Sequence, residues 1–100
     1  MKIHRRPKKR AQSHRVVMLG FPGAQVLDIT GPLEVFARTA RWLAEHRDAR
    51  APAYVTELVA ARAGPVAMSN GLEVVATRRY AEVRDADTLL VAGGIGWEAA

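Results

Sequence analysis

The 100-residue chain has no cysteine, which excludes disulfides, thiolate metal sites and a cysteine nucleophile within these residues. Cysteine usage therefore leaves the redox compartment unmarked. Long apolar runs are missing too: none approaches the ~18 residues of a membrane span. "VVMLGF" is shorter than the ~7 to 15 residues of a signal-peptide core and runs straight into Pro22-Gly23. A cytoplasmic protein with no membrane partner is the expectation. Aromatics make up only 6% of the chain, and acids are absent from residues 1 to 15.

Positive charge, by contrast, is concentrated. Residues 1 to 15 hold Lys2, Arg5, Arg6, Lys8, Lys9, Arg10 and Arg15, so the net charge of +5 belongs to the N-terminus and the remaining body is slightly acidic. A basic arm can touch nucleic acid phosphates or an acidic partner, since such contacts need only charge and reach. A run of this kind without interleaved aromatics also reads as a solvated tail. We assign residues 1–14 to a disordered basic tail and residues 15–100 to one globular unit, as the length allows.

Strand and helix signals alternate along the body. "RVVMLGF" (15 to 21) is a compact β-rich run closed by Pro22-Gly23. Residues 32 to 46 repeat at helical spacing, with Leu33, Phe36, Ala37, Ala40, Leu43 and Ala44 on one face and Glu34, Arg38, Arg41 and Glu45 on the other. Pro32 suits the first turn of that helix and Gly31 its N-cap. "YVTELVAA" (54 to 61) reads as a strand, and "VAMSNGLEVVA" (66 to 76) as a hairpin with Asn70-Gly71 at its turn. "RRYAEVRDAD" is a polar connection with room for one helical turn. "TLLVAGGIGWEAA" supplies a strand, a glycine-rich turn and the start of a further helix.

That order predicts an α/β domain with a mostly parallel, doubly wound sheet and a small hairpin. A strand as apolar as "TLLVA" is expected to be buried on both faces, which takes helices on both sides. Only one complete helix is predicted, so the chain reads as the N-terminal part of a larger domain.

Few residues here carry chemistry. Gly94-x-Gly96-x-x-Ala99 fits the form of a dinucleotide turn, in which amides at a helix start hold a pyrophosphate. The same glycines serve a tight strand-to-helix turn with no ligand. Glu34, at N3 of the predicted helix, suits the helix dipole and a capping box, and Arg38 is its i+4 neighbour. At the carboxyl edge of a sheet it also faces the crevice where α/β domains bind ligands. Asp28 reads either as a loop acceptor for backbone amides or as part of that crevice. His4 and His14 fall in the tail, and His46 lies at a helix end, where it complements the dipole. Ser13 and Ser69 have no adjacent base to activate them.

"VVMLGFPGAQVLDITGPLEVFARTARW", followed by "VAMSNGLEVVA" and "ADTLLVAGGIGWEAA", resembles the ThiJ/PfpI superfamily of class I glutamine-amidotransferase-like domains. The "D-[IL]-x-G-P-x-E-V-F" and "DTLLVAGG-x-G" elements most resemble the GlxA-like branch of AraC-family transcriptional regulators and the related isonitrile hydratases. The resemblance covers residues 15 to 100 and implies a flavodoxin-like fold. It also implies a pocket built from Asp28, Gly31, Glu34, Gly93 and Gly94. Glu34 would approach a cysteine nucleophile, Asp28 would shape the pocket, and an amide of Gly94 would help hold an oxyanion. The cysteine, and the DNA-reading helix-turn-helix pair of a regulator, would lie beyond residue 100. The resemblance thus implies an effector-sensing or dimerisation domain, homodimeric in a full-length parent, with a small-molecule effector and DNA as partners. No cofactor or metal is implied, and no enzyme activity is expected of these residues. A fragment of an isonitrile hydratase-like enzyme is the alternative.

Overall fold

In the computed structural model, which describes residues 2–5, 13–47 and 52–94, a five-stranded sheet runs in the order β1-β7-β2-β3-β6. Its strands are β1 (Lys2–Arg5), β2 (His14–Leu19), β3 (Tyr54–Ala60), β6 (Arg78–Arg79) and β7 (Thr88–Val91). β2 pairs in parallel with both β3 and β7, and β3 pairs in parallel with β6. A two-stranded antiparallel hairpin, β4 (Gly64–Ala67) and β5 (Glu73–Ala76), stands apart from the sheet. This is the mixed α/β architecture, mostly parallel with a small hairpin, that the sequence predicts.

The helix differs from its prediction. α1 runs Val26–His46 with Gln25 as N-cap, so Pro32 lies inside it and Gly31 is not a cap. A proline there has no N–H for the carbonyl four residues back, here Asp28, and an interior proline costs an isolated helix about 3 kcal/mol. Tertiary packing outweighs that cost: Ile29 is 1% exposed, and Val26, Leu33 and Phe36 pack against the same core. These positions share one helical face, which continues unbroken across Gly31-Pro32.

The tail is also corrected in two places. Lys2–Arg5 forms a strand paired antiparallel with β7, and His14 opens β2 rather than closing a disordered segment. An edge strand of this kind needs only backbone hydrogen bonds, which explains why a basic segment without apolar alternation forms one. Residues 6 to 12 lie outside the described residues.

The core lies between α1 and one face of the sheet. Val16, Met18, Leu58, Ala60 and Leu90 meet Ile29 there, joined by Val66, Met68 and Ala76 of the hairpin region. Strand alternation sends Val17, Leu19, Val59 and Leu89 to the opposite face. They line an apolar groove of about 460 Å³ with Tyr80, Val83, Arg84 and Ala86. The hairpin turn is longer than a two-residue loop: Gly71 takes φ +90° while its amide donates to Met68 O at 3.0 Å, and Asn70 Oδ1 accepts from Leu72 N.

Candidate functional site

The chain leaves β2 toward β3 on one side, whereas β7 pairs on the other side of β2. The segments after β2 and β7 meet at the carboxyl ends of these neighbouring strands, the edge at which open α/β sheets bind ligands. Four backbone contacts shape that point. Gly23 N donates to Ala67 O (2.8 Å) and Ser69 N to Ala24 O (2.8 Å), fastening the turn before α1 to the hairpin. Gln25 N donates to Gly93 O (2.8 Å), and Ala24 bridges Gly94.

Asp28, in the first turn of α1, completes the junction. Its Oδ2 accepts the amide of Gly93 at 2.9 Å, across 65 residues of sequence. A carboxylate near a helix start and beside a backbone N–H is held by two favourable fields at once. Gly94 cannot be enlarged in place, and at Gly93 the Asp28 side chain would have to give way. A Cβ on Gly93 would stand 2.8 Å from Asp28 Oδ2, and one on Gly94 (φ +151°) only 2.5 Å from Gly23 O and 2.6 Å from Ala24 Cα.

Of the residues marked in the sequence, the structure thus brings together Asp28, Gly93 and Gly94. Glu34 is not among them: it is the ninth residue of α1, exposed, with no hydrogen bond or ion pair to a described residue. The predicted N3 position is corrected by the earlier helix start. Gly31 sits on the same outer side of α1, and a Cβ there would meet nothing within 4 Å. In the Gly94-x-Gly96-x-x-Ala99 turn only Gly94 is described; Gly96, Ala99 and the predicted helix start lie outside the described residues. The apolar groove beside Val17 and Leu89 is on the other face of the sheet and includes none of the marked residues.

A second polar cluster, unforeseen in the sequence, lies on that opposite face. Arg78 forks onto Glu57 with Nε–Oε2 and Nη2–Oε1 distances of 2.7 Å each, and Thr77 Oγ1 donates to Oε2 at 2.6 Å. Arg15 approaches Glu57 at 3.3 Å and Asp85 at 2.9 Å, and Arg78 also reaches Asp85 at 3.1 Å. The Arg78 hydrogen bond leads in lowering the Glu57 carboxyl to about 2, against a burial penalty that pushes it up. The pairing raises Arg78 in turn. Each charge has an opposite neighbour, so the cluster joins β2, β3 and β6 to the 80–86 connection rather than presenting a free ion to a ligand. The sequence carries no local signal for it, because its members are far apart in the chain.

Among the described residues no group of three or more His, Asp or Glu side chains is placed to hold a metal ion. None of their helices is long and apolar enough to cross a membrane.

A mostly parallel sheet, a helix-start carboxylate and a diglycine turn joined at its carboxyl edge define an α/β domain. The particular fold is the DJ-1/ThiJ fold. A DJ-1 superfamily protein from Agrobacterium tumefaciens superposes with a TM-score of 0.62 at 19% identity, over 87% of this chain and 41% of that one. An AraC family transcriptional regulator from Pseudomonas putida superposes with a TM-score of 0.60 at 24% identity, over 82% of this chain and 48% of that one. In sequence, the chain is 38% identical over 84 residues to an uncharacterized protein from the cpoL 5' region of Streptomyces lividans. That match covers 84% of this chain and 54% of the relative, so the chain spans about half its relative's length. No protein-family model matches the chain.

Proposed function

We propose that the chain is the N-terminal half of the effector-sensing domain of a cytoplasmic, GlxA-type AraC-family transcriptional regulator. The observation that carries this reading is the Asp28–Gly93 hydrogen bond at the carboxyl ends of β2 and β7. It sets a carboxylate against glycine backbone, polar groups that suit a small polar effector. The likeness to the Pseudomonas putida regulator supports the regulatory role over a metabolic one. The DNA-reading part belongs to sequence that follows residue 100.

A second reading keeps the same junction. Asp28 beside a backbone amide also serves proton transfer to a thiol, as in an isonitrile hydratase-like enzyme whose cysteine follows this segment. Reading the encoding DNA downstream separates the two. A helix-turn-helix pair after the domain supports the regulator. A protein that stops about 100 residues on, with a cysteine at a strand-to-helix elbow, overturns it. In the full-length protein, Asp28→Ala is expected to retain retardation of DNA from its own upstream region while losing any response of that retardation to small metabolites.

A further inference from the structure

Asn70 is the single asparagine of the chain, and a glycine follows it. Both residues are exposed at the turn of the β4–β5 hairpin, so water reaches the pair. The side-chain amide of an asparagine can be attacked by the backbone nitrogen of the next residue, which closes a cyclic imide. Two things hold that reaction back: a following side chain that crowds the nitrogen, and an amide free to swing away from it. Gly71 removes the first, since it has no side chain and even a Cβ there would meet nothing within 4 Å. A hydrogen bond removes the second. Asn70 Oδ1 accepts the amide of Leu72 at 3.0 Å, which folds the side chain back along its own turn. The Leu72 N–H also polarises the carbonyl under attack and points at the oxygen on which negative charge grows, as an oxyanion donor does. One contact opposes the attack: Gly71 N donates to Met68 O at 3.0 Å. A lone bond in an exposed turn opens far more often than the whole fold does.

The turn is not an isolated feature. Met68 N donates to Leu72 O at 2.7 Å and closes the loop just beyond the Ala67–Glu73 pair of the hairpin. On the other side of this segment, Gly23 N donates to Ala67 O and Ser69 N to Ala24 O, each at 2.8 Å. The residues that close the turn thus also hold the loop leading into α1. An extra main-chain carbon between residues 70 and 71 would put these bonds out of register.

We propose that Asn70 is a self-modifying site, converted without a cofactor to isoaspartate, and that the conversion unfastens the hairpin from the turn before α1. The Gly71 nitrogen bonds to Asn70 Cγ, the Cγ–Nδ2 bond breaks, and the Gly71 amide proton leaves with Nδ2 as ammonia. Water then opens the imide. Cleavage at the Asn70 main-chain carbonyl gives isoaspartate, and cleavage at the former side-chain carbonyl gives aspartate. Nothing is oxidised or reduced, and only water is consumed. Isoaspartate lengthens the main chain and leaves no Oδ1 in place for Leu72 N, whereas aspartate keeps both the chain length and an acceptor oxygen.

Ageing the full chain in neutral buffer, followed by peptide mapping and hydrogen exchange, tests this. The peptide holding Ser69 to Gly71 should gain the mass of an amide-to-acid exchange and separate chromatographically into two acidic products. Asn70→Ser should abolish the gain, and Gly71→Ala should slow it several-fold. In the purified isoaspartate form, the amides of Gly23 and Ser69 should exchange faster than in fresh protein, while those of β2 keep their protection. Asn70→Asp, which adds the charge without the extra carbon, should exchange like the unmodified chain. An unchanged mass over a period in which a free peptide of residues 67–73 reacts fully overturns the inference. So does an isoaspartate form whose Gly23 and Ser69 amides remain as protected as before.

Discussion

The side chain of Asp28 accepts the main-chain amide of Gly93 at 2.9 Å, so the first turn of α1 and the turn after β7 are one construction although 65 residues separate them. Removing the acceptor leaves a part-buried amide unpaired. Asp28→Ala should cost about 1 to 3 kcal/mol, whereas Asp28→Asn, which keeps an acceptor oxygen, should cost less than half of that. Chemical denaturation of the three proteins reads the difference; equal losses would show that the bond does not hold the junction.

Among the described glycines, Gly94 should tolerate substitution worst. An alanine Cβ would lie 2.5 Å from Gly23 O and 2.6 Å from Ala24 Cα, both main-chain atoms that can move only with the turn itself. Gly64 also has positive φ (+112°) but open space around it. Gly64→Ala should cost about 1 to 2 kcal/mol of backbone strain, and Gly94→Ala clearly more, enough to lose cooperative melting. Comparable melting temperatures for the two variants would contradict the close approach.

Gly31→Ala should stabilise the chain. Gly31 lies inside α1, where glycine costs roughly 0.5–1 kcal/mol relative to alanine, and a Cβ there has nothing to strike. Had the helix begun at Pro32 with Gly31 as its cap, the same change would destabilise. The sign of the shift in melting temperature therefore reports where α1 starts.

Acid should weaken the fold through Glu57. Its carboxyl is lowered to about 2 in the folded chain, from 4.5, chiefly by the Arg78 hydrogen bond. Below 4.5 the unfolded chain takes up the proton first, so the stabilisation is fully present above that pH and is lost as pH falls toward 2. Because Arg78 and Asp85 are partly solvated, its size is on the order of 1 to 2 kcal/mol. Glu57→Gln should flatten stability against pH over that window, and an unchanged slope would remove Glu57 from the account.

Much of this architecture is legible in the sequence because it rests on local pattern. The runs that became β2, β3 and β7 are short and apolar, and the body of α1 repeats at helical spacing. The start of α1 is not legible, because Gly31-Pro32 carries a strong local signal for a helix boundary, whereas the burial of Ile29 that overrides it is tertiary. That one displacement also moved Glu34 from a helix cap to the middle of an exposed face. The β1 strand has no apolar alternation to announce it, since its pairing with β7 is made by backbone. Asp28, Gly93 and Gly94 could be marked from family resemblance, but their junction with Ala24 and Gln25 is made of main-chain contacts that no residue pattern records. The Glu57–Arg78 network is equally silent, because its members lie on separate strands.

In the proposed function, the junction of Asp28 with the diglycine turn receives the effector. Backbone amide shifts of the isotopically labelled chain, recorded while small polar metabolites such as carboxylic acids and primary amides are added in turn, test it most directly. The account predicts that compounds which bind will shift the amides of Ala24 to Asp28 and of Ala92 to Gly94, and that Asp28→Ala will abolish those shifts. Shifts gathered instead around Val17, Leu19, Val83 and Leu89, with the Asp28 junction unmoved, would contradict it.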